Sequence, residues 1–411
     1  MPGWVRNDLW RRARAVPSLD LQFADRKSLV DAVSGQNLVT FTRASSGTYV
    51  GSDGLLKTAT TNEPRFDHNP LTGECLGLLV EEQRTNLLRQ SENLGTTWVA
   101  NGLLAFGSGS TLNAITAPDG ATTADLITEN TATAQHNVYQ TVTTTGQKTF
   151  SVFAKQGPGN RLLRLVDFNA TNGAQAETYF NLSTGAVVSG TGTIRAFSNG
   201  WYCCSITTTT TVTSNYYISI SSGNGVFSYT GDGTSGIYVW GAQLEAGAFP
   251  TGYIPTTASA ATRSADVVDV LDAAIANGIR TLYLEFRSPA SGTRGVASLN
   301  DNTANERTSV ITSGTDPRLV VVDGGVEQAN IDGGMITAST RTRVAVRINA
   351  NDFAISINGG TPVTDTSGTR PTVDRLMLGR TQAGEYLNGA LARVIGWREL
   401  LPDSTLQTIT T

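Results

Sequence analysis

Beyond Trp98 the chain alternates apolar and polar residues with a period of two, the repeat of a β-strand whose two faces meet different surroundings. Phe150, Val152 and Ala154 share a face in "KTFSVFAKQ", Tyr216, Ile218 and Ile220 in "NYYISISSG", and Tyr238, Trp240 and Ala242 in "GIYVWGAQLE". Alternation stops between Phe249 and Ala265, where Pro250, Gly252, Pro255 and a Thr/Ala/Ser run give a linker composition. It resumes at "RTLYLEFRS" with Leu282, Leu284 and Phe286, and continues in "RTRVAVRIN" with Val344, Val346 and Ile348. "FAISINGGTPVTDT" predicts a hairpin bent at Asn358-Gly359, and "RLMLGR" and "LNGALARVIGWREL" predict further strands. Upstream, Leu19 to Leu88 carries turn signals such as "SGTYVGSDG" and "TNEPRFDHNPLTGE", which predict a compact, loop-rich segment. The spacing of Leu79, Leu87 and Leu88 around "VEEQRTNLLRQ" predicts a short helix.

The fold class expected is all-β, with two tandem β-sandwiches after a loop-rich amino-terminal segment. The expected divisions are an attachment segment at 1–95, a jelly-roll sandwich at 96–248, a Pro/Thr-rich linker at 249–264 and a second sandwich at 265–411. The pattern leaves the outward aromatics unresolved, because neither Tyr216 against Tyr217 nor Tyr238 against Trp240 can be assigned to a face.

Composition supports this outline. At 411 residues the chain exceeds one hydrophobic core. Charged residues make up 16%, Gly numbers 43, and Thr/Ser/Asn-rich runs suit strands and turns. A formal net charge of −4 offers no overall basic field, so nucleic acid is not an expected partner. The 3 cysteines, Cys75, Cys203 and Cys204, are odd in number and include an adjacent pair, so buried thiols are expected in place of a disulfide scaffold. No apolar run is long enough for membrane insertion, and "MPGWVRNDLWRRARAVPSLD" lacks a signal-peptide core, which predicts synthesis in a cytoplasm without export by the usual route. Trp4, Trp10, Arg11, Arg12 and Arg14 form a basic aromatic cluster that suits either docking to an acidic surface or a solvated arm.

Three blocks, "FTRASSGTYVGSDG", "NEPRFDHNPLTGECLGLLVEEQRTNLL" and "WGAQLEAGAFPTGYIPT", occur in an order that resembles structural proteins of tailed-bacteriophage virions, especially fibres and spikes. The tail from Thr281 to Leu406 is similar to concanavalin A-like or laminin-G-like lectin domains, on "FAISING", "LMLGR" and "LNGALARVIGWRELL". The resemblance implies a virion protein attached to other virion proteins by its amino terminus and touching host cell-surface polysaccharide through its sandwiches. It also implies a homo-oligomer, most often a trimer, whose weak contacts add through effective concentration. A head-spike, decoration or neck protein with an architectural role, and a depolymerase that cuts the polysaccharide, are the competing readings. No enzymatic activity and no cofactor are expected, because fold alone does not confer chemistry.

Sugar binding requires an exposed aromatic face for the apolar side of a pyranose and polar groups for its hydroxyls. Tyr229, Trp201 and Tyr217 are the candidates, drawn from an aromatic-rich stretch. The imidazoles, His68 and His136, are expected to make local hydrogen bonds, and the acidic residues show no arrangement that marks a glycosidase. Oxygen-rich loops at Asp232 and Asp301 could hold Ca²⁺, though Asx turns explain both.

Overall fold

The structure, a computed structural model, describes residues 8–209, 211–289 and 292–411. It is built almost wholly from antiparallel strands, and two sandwiches account for its four large sheets. The strands expected from alternation are present as Lys148–Gln156, Val212–Ser221, Gly236–Ala246, Thr281–Arg287, Thr342–Asn349 and Gly389–Trp397. In the predicted hairpin, Asp352–Ile357 pairs with Val363–Asp365, and Asn358 and Gly359 adopt φ of 48° and 81° at the bend.

The amino-terminal segment is not a separate unit. Cys75–Val80 pairs with Gly389–Trp397, Val39–Thr42 with Val267–Val270, and Leu19–Leu21 with the far end of Gly389–Trp397. Leu19, Leu21, Phe41, Leu78 and Val80 share one core with Val268, Leu284, Val346 and Leu391. Gly77 permits this closure: its φ is +121°, and a Cβ there would lie 2.0 Å from the carbonyl oxygen of Leu391. The predicted helix near "VEEQRTNLLRQ" is also corrected, since Arg84–Asn86 is a strand paired with Ala261–Arg263.

Asn86 and Ala261 stand opposite each other in that pair, so the chain leaves and re-enters the outer sandwich at one point. Between them it builds the second sandwich, which is thus inserted into the first. One of its sheets centres on Lys148–Gln156, flanked by Trp201–Thr208 and Gly236–Ala246. The other centres on Leu162–Asn169 and Val212–Ser221. Phe150, Val152, Leu165, Tyr216, Ile218 and Leu244 fill the space between them. The face expected for Tyr238, Trp240 and Ala242 is divided by a bulge. Gly241, at φ 62°, shifts the register against Lys148–Gln156, so Val239 and Ala242 both point into the core while Trp240 points out. The hairpin of Gly47–Val50 and Leu56–Ala59 supplies Val50 and Leu56, which pack with Phe153, Phe197, Trp201 and Trp240 on this outward side.

The expected linker is a fixed joint. Asn86 Nδ2 donates to the carbonyls of Ala242 and Ile254 at 3.0 and 2.9 Å, and the Gly252 amide donates to Glu81 at 2.7 Å. Tyr253 and Ile254 are buried. Beneath them, Glu81 pairs with Arg65 at 2.7 Å and Arg263 at 2.9 Å, while Asp266 pairs with Arg43 at 3.1 Å and with Arg65. Burial alone would raise the Glu81 pKa, but the guanidiniums of Arg263 and Arg65 hold it down to about 2. Phe249 lies between Arg84 and Arg294, with guanidinium-to-ring distances of 5.7 and 4.6 Å, and so ties the return segment to the outer sandwich. The three sequence blocks therefore meet here, as Arg43, as Arg65 with Glu81, and as Gly252 with Tyr253.

Candidate functional site

The outer face of the sheet around Val212–Ser221 is the candidate site. Tyr217 follows the core residue Tyr216 and therefore points away from the core, which resolves the pair that alternation left open. It stands opposite Tyr139 on one side and Val166 on the other. The Tyr139 and Tyr217 rings are 4.7 Å apart and tilted by 44°, and Phe168 meets Tyr217 edge-on at 6.3 Å. All three are half-buried, which leaves an aromatic surface beside solvent. Asn215 fixes its edge, donating to the Tyr217 hydroxyl at 3.0 Å and accepting from Thr141 at 2.6 Å.

The next row across the same face runs Asn137, Ser219, Arg164, Tyr179 and Ser189, each opposite its neighbour. Asn137 Oδ1 and Ser219 Oγ are buried without a hydrogen-bond partner among the described residues. Arg164 donates from Nε to Glu177 at 2.5 Å and lies 5.8 Å from the Tyr179 ring and 5.7 Å from that of Phe227. Burial, reinforced by Glu177, pushes the Tyr179 phenol up to about 12. Phe227 is 53% exposed, on a loop held where Ser189 donates to Asn224 at 2.5 Å. Glu177, Tyr179, Ser189, Asn224 and Phe227 line a shallow cleft of about 400 Å³ beside the aromatic surface. The whole offers flat apolar rings next to amide, hydroxyl, guanidinium and carboxylate groups, the complement of a sugar ring and its hydroxyls.

The other two sugar candidates are placed elsewhere. Trp201 is 1% exposed on the opposite sheet and donates from its indole to the Thr116 carbonyl at 3.2 Å, so it is packing. Tyr229 is half-buried and its hydroxyl donates to Glu129 at 2.5 Å, a carboxylate that Arg161 also grips at 2.6 Å. Its ring packs on His136 at 4.5 Å, and burial first, then Glu129, drives its pKa far up. It therefore anchors the end of the sandwich. Sequence reasoning missed Tyr139, Phe168 and Arg164; only a register between strands could have set them beside Tyr217.

At the amino terminus, Trp4 lies outside the described residues. Trp10 donates to Asp20 at 3.0 Å, and Arg12 to the Thr411 hydroxyl at 3.1 Å, so both contact the outer sandwich; Arg11, Arg12 and Arg14 are all exposed. His68 and His136 take backbone carbonyls, those of Val50 and Gly102. Asp232 Oδ1 accepts from the Thr234 and Ser235 amides at 2.8 and 2.7 Å, and Asp301 accepts from the Thr303 amide at 2.8 Å, so both loops are Asx turns. Among the described residues no group of three His, Cys, Asp or Glu side chains is arranged to hold a metal ion. Nor is any helix there long and apolar enough to cross a membrane.

No family model matches the chain, and no curated protein does. Among solved structures, it is similar to the CBM40 of the Ruminococcus gnavus IT-sialidase bound to α2,6 sialyllactose, at 16% identity and a TM-score of 0.28, over 32% of this chain and 82% of that one. It is also similar to domain 4 of AbnA, a GH43 extracellular arabinanase from Geobacillus stearothermophilus, in complex with arabinotriose, at 15% identity and a TM-score of 0.30, over 40% and 84%. Mouse laminin α1 domains LG4-5 match at 8% identity and a TM-score of 0.24, over 64% and 85%. At these scores the likenesses assign no activity.

Proposed function

We propose that the protein binds glycans through the aromatic surface of Tyr139, Tyr217 and Phe168, and serves as a virion fibre or spike component that attaches to host polysaccharide. The observation that carries the binding reading is the aromatic surface of Tyr139, Tyr217 and Phe168 beside the cleft of Glu177, Tyr179, Asn224 and Phe227, which sets apolar rings next to polar groups. The virion role rests on the order of the three sequence blocks. Homotrimerisation would multiply single weak contacts. The exposed Arg11 and Arg14 are the docking residues in this reading, so Arg11→Glu with Arg14→Glu should reduce incorporation into particles while the sandwiches stay folded.

The reading is of binding without cleavage. Calorimetric titration of purified protein with host capsular or exopolysaccharide should show saturable binding that Tyr217→Ala abolishes. Absence of binding to host polysaccharide and to a glycan array would overturn it. Release of reducing ends during incubation would favour a depolymerase.

A further inference from the structure

The interior of the inserted sandwich holds a polar pair that glycan binding does not use. Lys148 opens the strand Lys148–Gln156 of one sheet, and Asp167 lies in Leu162–Asn169 of the other. Their side chains are 2% and 1% exposed, and Nζ lies 3.8 Å from Oδ2. Charge-assisted hydrogen bonds sit at about 2.7–2.9 Å, and a buried ion pair is favourable only when its geometry is close to that. This one is too long to be such a bond. Thr208 donates to Oδ2 at 2.8 Å, while Oδ1 has no hydrogen-bond partner among the described residues. Tyr216, fully buried, directs its hydroxyl to Thr144 at 3.3 Å near the same carboxyl. Burial lowers the Lys148 pKa, which favours the neutral, nucleophilic amine.

We propose that Lys148 and Asp167 condense into an intramolecular amide that joins the two sheets covalently. One proton passes from the Lys148 ammonium to Oδ2 of the Asp167 carboxylate, and the amine so formed attacks Cγ, forming the new C–N bond. One amine proton passes through the Thr208 hydroxyl to Oδ2, and the Cγ–Oδ2 bond breaks to release water. Oδ1 remains as the amide carbonyl. Charge and atoms balance, no oxidant is consumed, and two buried ionisable groups become one neutral link. Because the link joins strands that belong to different sheets, it would also resist forced separation of the sheets.

Intact-mass spectrometry of the purified full chain tests this directly. The expected mass is lower than that of the sequence by one water, and tryptic digestion should yield a branched peptide joining Lys148 to Asp167 with no cleavage after Lys148. Lys148→Arg and Asp167→Ala should each restore the full mass for their sequence. A cyclised aspartate elsewhere would also lose water, but it would give no branched peptide and would persist in Lys148→Arg. Full mass in the wild-type protein, with ordinary cleavage after Lys148, overturns the proposal, and that readout needs no variant to fold.

Discussion

The two outer faces of the inserted sandwich use aromatic residues in opposite ways. On the Lys148–Gln156 sheet, Phe153, Phe197, Trp201 and Trp240 are buried, because the hairpin of Gly47–Val50 and Leu56–Ala59 and the returning Tyr253 close over them. On the Val212–Ser221 sheet, Tyr139, Phe168 and Tyr217 shield one another only in part. Covered rings contribute apolar burial and edge-to-face contacts to stability, and uncovered rings keep that potential for a ligand. The difference lies in the chain's path, since the amino-terminal segment and the joint reach only one face.

The comparison can be broken from the covered side first. Arg65→Ala should have the largest effect, because it leaves Glu81 and Asp266 buried with fewer partners. The expected loss is about 3–5 kcal/mol, measured by thermal or urea unfolding. Phe153→Ala, which removes a ring in contact with Phe197 and Trp240, should cost about 3–4 kcal/mol without altering the opposite face's affinity for sugar.

Acid sharpens the comparison at the joint. The Glu81 pKa is about 2 in the folded chain, below its usual 4.5, so its stabilisation is complete above pH 4.5 and falls away between 4.5 and 2. Unfolding midpoints measured across that window should drop with pH, and Glu81→Gln should flatten this part of the profile. The smallest effect is expected at Tyr229→Phe, where loss of the hydroxyl bond to Glu129 should cost about 1–2 kcal/mol. Glycan affinity should be unchanged, which separates this tyrosine from Tyr217.

Much of the sheet architecture was legible because alternation is a local signal. "KTFSVFAKQ" and "RTRVAVRIN" needed no distant information to declare their inward faces. The domain plan was not, since the pairing of Cys75–Val80 with Gly389–Trp397 joins residues more than 300 positions apart, as for Leu78 and Leu391. Turn-rich composition around these early strands concealed them. The Gly241 bulge likewise defeated simple periodicity, by turning Trp240 out while Val239 and Ala242 stayed in. Of the sugar candidates, Tyr217 alone lies on the open face. Its partners Tyr139 and Phe168 come from strands that only the folded register brings alongside.

The most direct test of the open aromatic face is titration of host polysaccharide into the wild-type protein and Tyr217→Ala, each first matched for thermal unfolding. The expected result is at least a tenfold loss of affinity, about 1.4 kcal/mol, with the melting temperature nearly unchanged. Equal affinity in the two proteins would contradict the assignment of this face as the glycan site.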